Sequence, residues 1–148
     1  MTVLNEVQIQ RLSRRFDAVK AEHNQLLSKL TQYDWRQFGA SVKVEGDVIV
    51  INCMGHQWEA TPRFVLHGDN AIIEYAFHEK FRDEYVLAAC LFMDKEGGLY
   101  KEVECESADW VFNAGANIES GPLITEILAQ ATESDVFKPT LRPAIQES

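Results

Sequence analysis

The sequence predicts an α+β fold: a long N-terminal helix, then an antiparallel meander of about six strands, then a short C-terminal helix. Apolar residues recur with a helical period over residues 5–33, and they alternate with a period of two from residue 40 onward. A helical pattern returns after Pro122. We expect a single domain over residues 1–136, followed by an extended, proline-containing tail over residues 137–148.

The first helix is predicted over residues 5–33. Asn5 and Gln8 have the spacing of a capping box at its beginning. Its apolar stripe is interrupted once, by His23, and otherwise consists of Ile9, Leu12, Phe16, Val19, Leu26, Leu30 and Tyr33. Such a stripe is typical of a helix that covers a sheet. The alternative is a homodimer in which two copies of this helix form a coiled coil and His23 sets the register.

The strand pattern begins with a hairpin that turns at Gly46. Glycine at the first position of a two-residue turn favours a tight connection between antiparallel strands. The resulting register places Val44 opposite Ile49 and Val42 opposite Ile51, so that four branched side chains share one face.

A second hairpin turns at residues 67–70, and its register satisfies both faces of the sheet. On the apolar face it pairs Leu66 with Ala71, Phe64 with Ile73, Pro62 with Tyr75 and Ala60 with Phe77. On the polar face it pairs Arg63 with Glu74 and Glu59 with His78. A shift of the register by one residue would separate both the apolar pairs and the oppositely charged pairs. Because proline has no N–H to donate, Pro62 predicts a sheet edge or a bulge.

The central strand is predicted at residues 85–93, which are nine apolar residues without a charge. The run is too short to cross a bilayer, and a turn follows at residues 94–98. We therefore expect a strand that is buried on both faces near the middle of the sheet. A half-buried strand is predicted next, at residues 99–106, and a second helix begins near Pro122 and ends near Ser134.

The formal charge of −9 is unevenly distributed along the chain. Residues 1–38 hold six basic and four acidic residues, whereas residues 94–135 hold two basic and ten acidic residues. Phosphates would be repelled by the acidic half, which argues against its direct binding of nucleic acid, and a basic protein would be attracted. The predicted partner-binding residues are Glu102, Glu104, Glu106, Asp94, Glu96 and Asp109. An ordinary solvated face is the alternative interpretation of this acidic row.

Three histidines, His56, His67 and His78, are spaced eleven residues apart. The second hairpin places His67 at the end opposite the other two, about 26 Å away, so it cannot join them in one site. His56 and His78 could form an acid–base or metal group with Glu59 and Glu79, although Glu59 and His78 also fit a cross-strand surface pair.

Other signatures of chemistry are missing from the sequence. Its three cysteines, Cys53, Cys90 and Cys105, form no C-x-x-C or zinc-like cluster, and we expect them to be small apolar residues in a reducing compartment. No secretion-signal pattern is found at the N-terminus, and no apolar run has membrane-spanning length. We therefore expect a cytoplasmic protein without a metal, a cofactor or a membrane segment.

Two functions are consistent with these observations. The first is a non-enzymatic interaction protein, such as an inhibitor, an immunity-type factor, an adaptor or a chaperone, that binds a basic partner through an acidic sheet edge. The second is a small-molecule-binding or enzymatic domain that uses His56, His78 and Glu59 as an acid–base group. Its aromatic pocket would be lined by Trp58, Tyr75, Phe77, Trp110 and Phe112.

Overall fold

The computed structural model describes residues 5–68, 70–104, 110–114 and 121–140. It confirms the predicted α+β class, with a long helix, an antiparallel sheet and a short helix in that order. The elements are α1 (Glu6–Gln32), β1 (Ala40–Glu45), β2 (Val48–Cys53), β3 (His56–Ala60), β4 (Arg63–His67), β5 (Asn70–Phe81), β6 (Glu84–Met93), β7 (Gly98–Tyr100), β8 (Phe112–Asn113) and α2 (Gly121–Glu133). Two 3₁₀ turns, Arg36–Phe38 and Asp135–Phe137, follow the two helices.

The described residues form one antiparallel sheet of eight strands, where about six were expected. The strand order is β1-β2-β3-β5-β6-β7-β8, and β4 pairs with β5. The additional strands arise because the predicted strand around Pro62 is divided into β3 and β4, and because β8 is a separate two-residue strand. Pro62 cannot donate to the ladder, and both pieces pair with the single long strand β5.

The predicted registers are confirmed wherever the ladders are continuous. In the first hairpin Val44 pairs with Ile49 and Val42 with Ile51. In the second hairpin the confirmed pairs are Leu66 with Ala71, Phe64 with Ile73, Ala60 with Phe77, Arg63 with Glu74 and Glu59 with His78. Pro62 and Tyr75 fall in the gap between the two ladders.

Both helices pack on the same face of the sheet. One buried core joins Val19, Leu26 and Leu30 of α1, apolar residues of α2, and strand residues that share one face, such as Ile51 and Leu91. The predicted capping box at the beginning of α1 is formed, because Asn5 and Gln8 exchange backbone-to-side-chain hydrogen bonds of 2.8 and 2.9 Å. The part of the stripe from Val19 to Leu30 is occupied by the sheet, so only the first turns of α1 leave apolar side chains exposed.

The central strand was expected to be buried on both faces, and this prediction is wrong for its first half. Tyr85 is 69% exposed and Leu87 is 48% exposed. The outer face is open here, and a β-bulge decides which residues lie on it: Phe77 pairs with Ala89 and His78 with Leu87, which leaves Ala88 without a partner on β5. Because of this extra residue, Tyr85 and Leu87 share the outer face with His78, where no helix covers them among the described residues.

The strand predicted at residues 99–106 is also wrong at residues 101–104. β7 ends at Tyr100, residues 101–104 form a bend and a turn, and residues 105–109 lie outside the described residues. Tyr100 is buried. Glutamate and lysine are unfavourable in strands, and Val103 is the one apolar residue of the segment 101–104, so further pairing would bury little apolar area.

Candidate functional site

The acidic residues do not form the predicted row along a strand edge. Glu96 lies in the turn before β7, whereas Glu102 and Glu104 lie in the irregular segment after it, and all three are exposed. β7 itself is no edge strand, since it pairs with both β6 and β8. Glu106 and Asp109 lie outside the described residues. The three exposed carboxylates therefore lie in the loops before and after β7, close to the β8 end of the strand order. We call Glu96, Glu102 and Glu104 the acidic end of the sheet.

Asp94 has a structural role within this region. Its Oδ1 accepts hydrogen bonds of 3.0 Å from the backbone N–H groups of Glu96 and Gly98, and its Oδ2 accepts one of 2.9 Å from the hydroxyl of Tyr100. A carboxylate with three donors in its own turn is held in place and has little capacity left for a partner. Asp94 therefore shapes the turn before β7 and is not a free ligand for a partner.

The predicted acid–base group is divided between the two faces of the sheet. Glu59 and His78 are paired on the outer face and line an open hollow of about 730 Å³, together with the ion pair between Arg63 and Glu74 (3.1 Å). His56 lies on the inner, helix-covered face. Alternation along β3 is the cause, because residues 56 and 59 have opposite parity.

On the inner face His56 forms a close pair with Glu79. Nδ1 of His56 lies 2.7 Å from Oε1 of Glu79, and the indole N–H of Trp58 donates to the same oxygen at 2.9 Å. A carboxylate can only accept, so Nδ1 carries the hydrogen, and Nε2 is an acceptor in the neutral form of the ring. A histidine held in one tautomer by a carboxylate is an arrangement suited to hydrogen-bond acceptance or general-base chemistry.

A hollow of about 450 Å³ adjoins this pair. Its walls are His56, Glu79, Phe81, Val86, Asp135, Val136, Lys138, Pro139 and Thr140. Phe137, from the 3₁₀ turn after α2, lies against His56 with ring centroids 4.3 Å apart and against Trp58 at 6.0 Å. The segment after α2 therefore covers the histidine from one side and forms part of the wall.

The aromatic pocket expected under the second hypothesis is not formed by the residues that the structure describes. Trp58, Tyr75, Phe77 and Phe112 are all buried in the core, and Trp110 is 40% exposed. The four buried side chains fill the space between sheet and helices, and none of the five residues lines the four hollows described. Alternation correctly placed Trp58, Tyr75 and Phe77 on one face, but the helices cover that face.

A second polar cluster is buried under α1. Nδ1 of His23 lies 2.7 Å from the hydroxyl of Tyr75, and Nε2 lies 3.4 Å from Oδ1 of Asp47. Burial lowers the pKa of His23 despite the opposing effect of Asp47, and burial raises the pKa of Tyr75. Since the neutral histidine is favoured, the phenol donates to Nδ1 and the ring N–H points at Asp47. The interruption in the apolar stripe was the only signal of this cluster in the sequence.

The structure offers no separate thiol or metal chemistry among the described residues. Burial raises the pKa of the Cys53 thiol, and burial together with Glu74 raises that of Cys90 to about 11, so neither is an activated nucleophile. No group of three or more histidine, cysteine, aspartate or glutamate residues that could hold a metal ion occurs in the described ranges.

No known protein family, curated protein or solved structure gives a significant match to this chain. None of the helices described has the combination of length and apolar content needed to cross a membrane.

Proposed function

We propose that this chain is a non-enzymatic interaction protein that binds a basic protein partner through the acidic end of its sheet. The observation that carries the proposal is the state of Glu96 and Glu104: both are exposed, and neither forms an ion pair within the described part of the chain. In contrast, Arg36, Arg63 and Lys138 are each paired with a carboxylate.

The charge distribution supports a docking role for this region. Residues 94–135 contain ten acidic residues and two lysines, so a partner approaching this region meets a negative field. Such a field accelerates the encounter with a basic surface, and its effect is weakened by salt. The exposed carboxylates flank a short, well-paired strand, and they can therefore be presented without any rearrangement of the sheet.

A cytoplasmic location is part of the same proposal. Cys53 and Cys90 are free thiols in the structure, and cysteines persist in this form in reducing compartments. An inhibitor, an immunity-type factor, an adaptor or a chaperone would all fit an acidic domain of this kind.

The test compares two charge-reversal variants of the full chain. The first is Glu96→Lys with Glu104→Lys at the acidic end. The second is Asp17→Lys with Glu84→Lys, which makes the same change in net charge at exposed positions on α1 and at the beginning of β6. Proteins are captured from lysate at low salt, and the affinity of each purified partner is then measured for both variants over a range of salt concentrations.

We expect the acidic-end variant to lose at least about tenfold in affinity for a basic partner, mainly through slower association, while the control keeps most of its affinity. Equal losses of affinity in the two variants would show that the effect depends only on the net charge of the chain, and this result would overturn the proposal. Binding that is insensitive to both salt and the acidic-end substitutions would overturn it as well.

A further inference from the structure

The hollow beside His56 combines a histidine that is held by a carboxylate with an apolar wall. Glu79 accepts from Nδ1 of His56 at 2.7 Å, which leaves Nε2 as the acceptor of the ring in its neutral form. Nε2 has no hydrogen-bond partner among the residues that the structure describes, and His56 keeps 24% of its side-chain surface exposed. A polar atom in this state is a ready partner for a donor on a ligand.

Two contacts fix the orientation of the His56 ring, one with Glu79 and one with Phe137. Glu79 is itself held by the indole N–H of Trp58 at 2.9 Å, and the ring of Phe137 lies against the imidazole at 4.3 Å. A ligand therefore meets an acceptor whose direction is set before binding, which reduces the entropy cost of forming the hydrogen bond.

The rest of the hollow favours a neutral ligand with an apolar body. Its non-polar wall consists of Phe81, Val86, Val136 and Pro139. At the rim, Lys138 and Asp135 neutralise each other in an ion pair of 3.1 Å, and the guanidinium of Arg82 packs on the ring of Phe81, 5.2 Å from its centroid. The volume of about 450 Å³ exceeds the roughly 150 Å³ that is enough to hold a benzene ring.

We propose that this hollow, bounded by β3, β5, β6 and residues 135–140, binds a small neutral aromatic alcohol of the phenol class. The hydroxyl donates to Nε2 of His56, and the ring packs on Phe81, Val86 and Pro139. This site lies on the inner face of the sheet and is independent of the basic partner proposed for the acidic end.

The test uses two probes that differ in one hydrogen-bond donor. The hydroxyl of p-cresol can donate to Nε2, whereas 4-methylanisole, its methyl ether, presents the same ring and cannot donate. Binding of each probe to the full chain is followed by NMR, through the backbone amides of residues 135–138 and 140 and the ring signals of His56. We expect p-cresol to bind at least about tenfold more tightly than 4-methylanisole and to shift the Nε2 resonance of His56.

Two variants separate the acceptor from the shape of the hollow. His56→Phe keeps a ring against Phe137 but has no Nε2, and we expect it to bind both probes with similar affinity. His78→Phe makes the same substitution on the outer face and should retain the preference for p-cresol. Persistence of that preference in His56→Phe would overturn the proposal, as would equal binding of the two probes to the unmodified chain or shifts confined to other residues. The His56 resonance in the unmodified protein decides the question even if His56→Phe does not fold.

Discussion

His23 on α1 and Tyr75 on β5 share a buried hydrogen bond of 2.7 Å across 52 residues of sequence. Met93 adds a sulfur contact to the same hydroxyl at 3.7 Å, and Asp47 lies on the other side of the imidazole. The apolar contacts of α1 specify which stripe faces the sheet, but they allow the helix to slide. A directed bond to one tyrosine fixes its position along the helix axis, since a buried polar group without a partner is costly.

Replacement of His23 by alanine should lower the free energy of unfolding by about 2–4 kcal/mol. The substitution leaves a cavity under α1 and deprives the buried Tyr75 hydroxyl of its acceptor. Urea unfolding followed by circular dichroism measures the change. Asn24→Ala, at the exposed neighbouring position, is the control and should change stability by less than about 0.5 kcal/mol. Similar losses in the two variants would argue against a specific role for His23.

The same histidine should make the protein less stable in mild acid. The pKa of His23 in the folded chain is lowered from 6.5 by burial, with Asp47 opposing the shift and Lys20 adding to it. Below about pH 6.5 the unfolded chain therefore binds a proton that the folded chain resists, and stability falls as the pH drops toward the folded pKa.

Urea unfolding between about pH 7.5 and pH 5.5 measures this loss. We expect His23→Gln to flatten the pH dependence over that interval, whereas His67→Gln, at the exposed last residue of β4, should leave it unchanged. A slope that survives His23→Gln would assign the effect to other groups.

Substitution of Glu79 by leucine should cost about 2–4 kcal/mol of stability. Two part-buried donors, Nδ1–H of His56 and the indole N–H of Trp58, would lose their shared acceptor. Glu79→Gln retains a carbonyl oxygen and should cost about 1 kcal/mol. Glu74→Leu, which breaks an exposed ion pair with Arg63 on the outer face, is the matched control and should cost less than about 1 kcal/mol.

Gly98→Ala should destabilise the turn into β7 by about 1–3 kcal/mol. A methyl group at this position would lie 2.9 Å from the hydroxyl of Tyr100, which is buried and bonded to Asp94. Gly121→Ala, in α2 and without any atom within 4 Å of the added methyl group, should be neutral or slightly stabilising. Thermal unfolding of the two variants measures the difference, and equal melting temperatures would contradict the expected clash.

Local patterns in the sequence predicted those elements that are specified by residues close to one another along the chain. The capping box located the first residue of α1, and matched pairs on both faces fixed the register between β4 and β5. The same register places Trp58 opposite Glu79, so this part of the His56 site could be predicted from the sequence. The contact between Phe137 and His56 could not be predicted, because it depends on the path of the chain after α2.

The errors share a physical cause. Alternation predicts a strand that continues through residues 101–104, but β7 ends at Tyr100, whose hydroxyl is bonded to Asp94, and periodicity does not detect such a bond between side chains. Similarly, no residue type between Tyr85 and Met93 marks the bulge. The polar cluster around His23 could not be predicted because its partners lie 24 and 52 residues away in the sequence.

The bulge at Ala88 also explains why the run from Tyr85 to Met93 shows no alternation. Because Ala88 is unpaired, each residue of β6 before it lies on the opposite face from the one that regular alternation would give. Val86 therefore faces the helices, and Leu87 does not. In an alternating strand such an insertion would drive polar side chains into the interior. Because all nine residues are apolar, any of them can face the core. The alternation can therefore shift at Ala88 without burying a polar side chain.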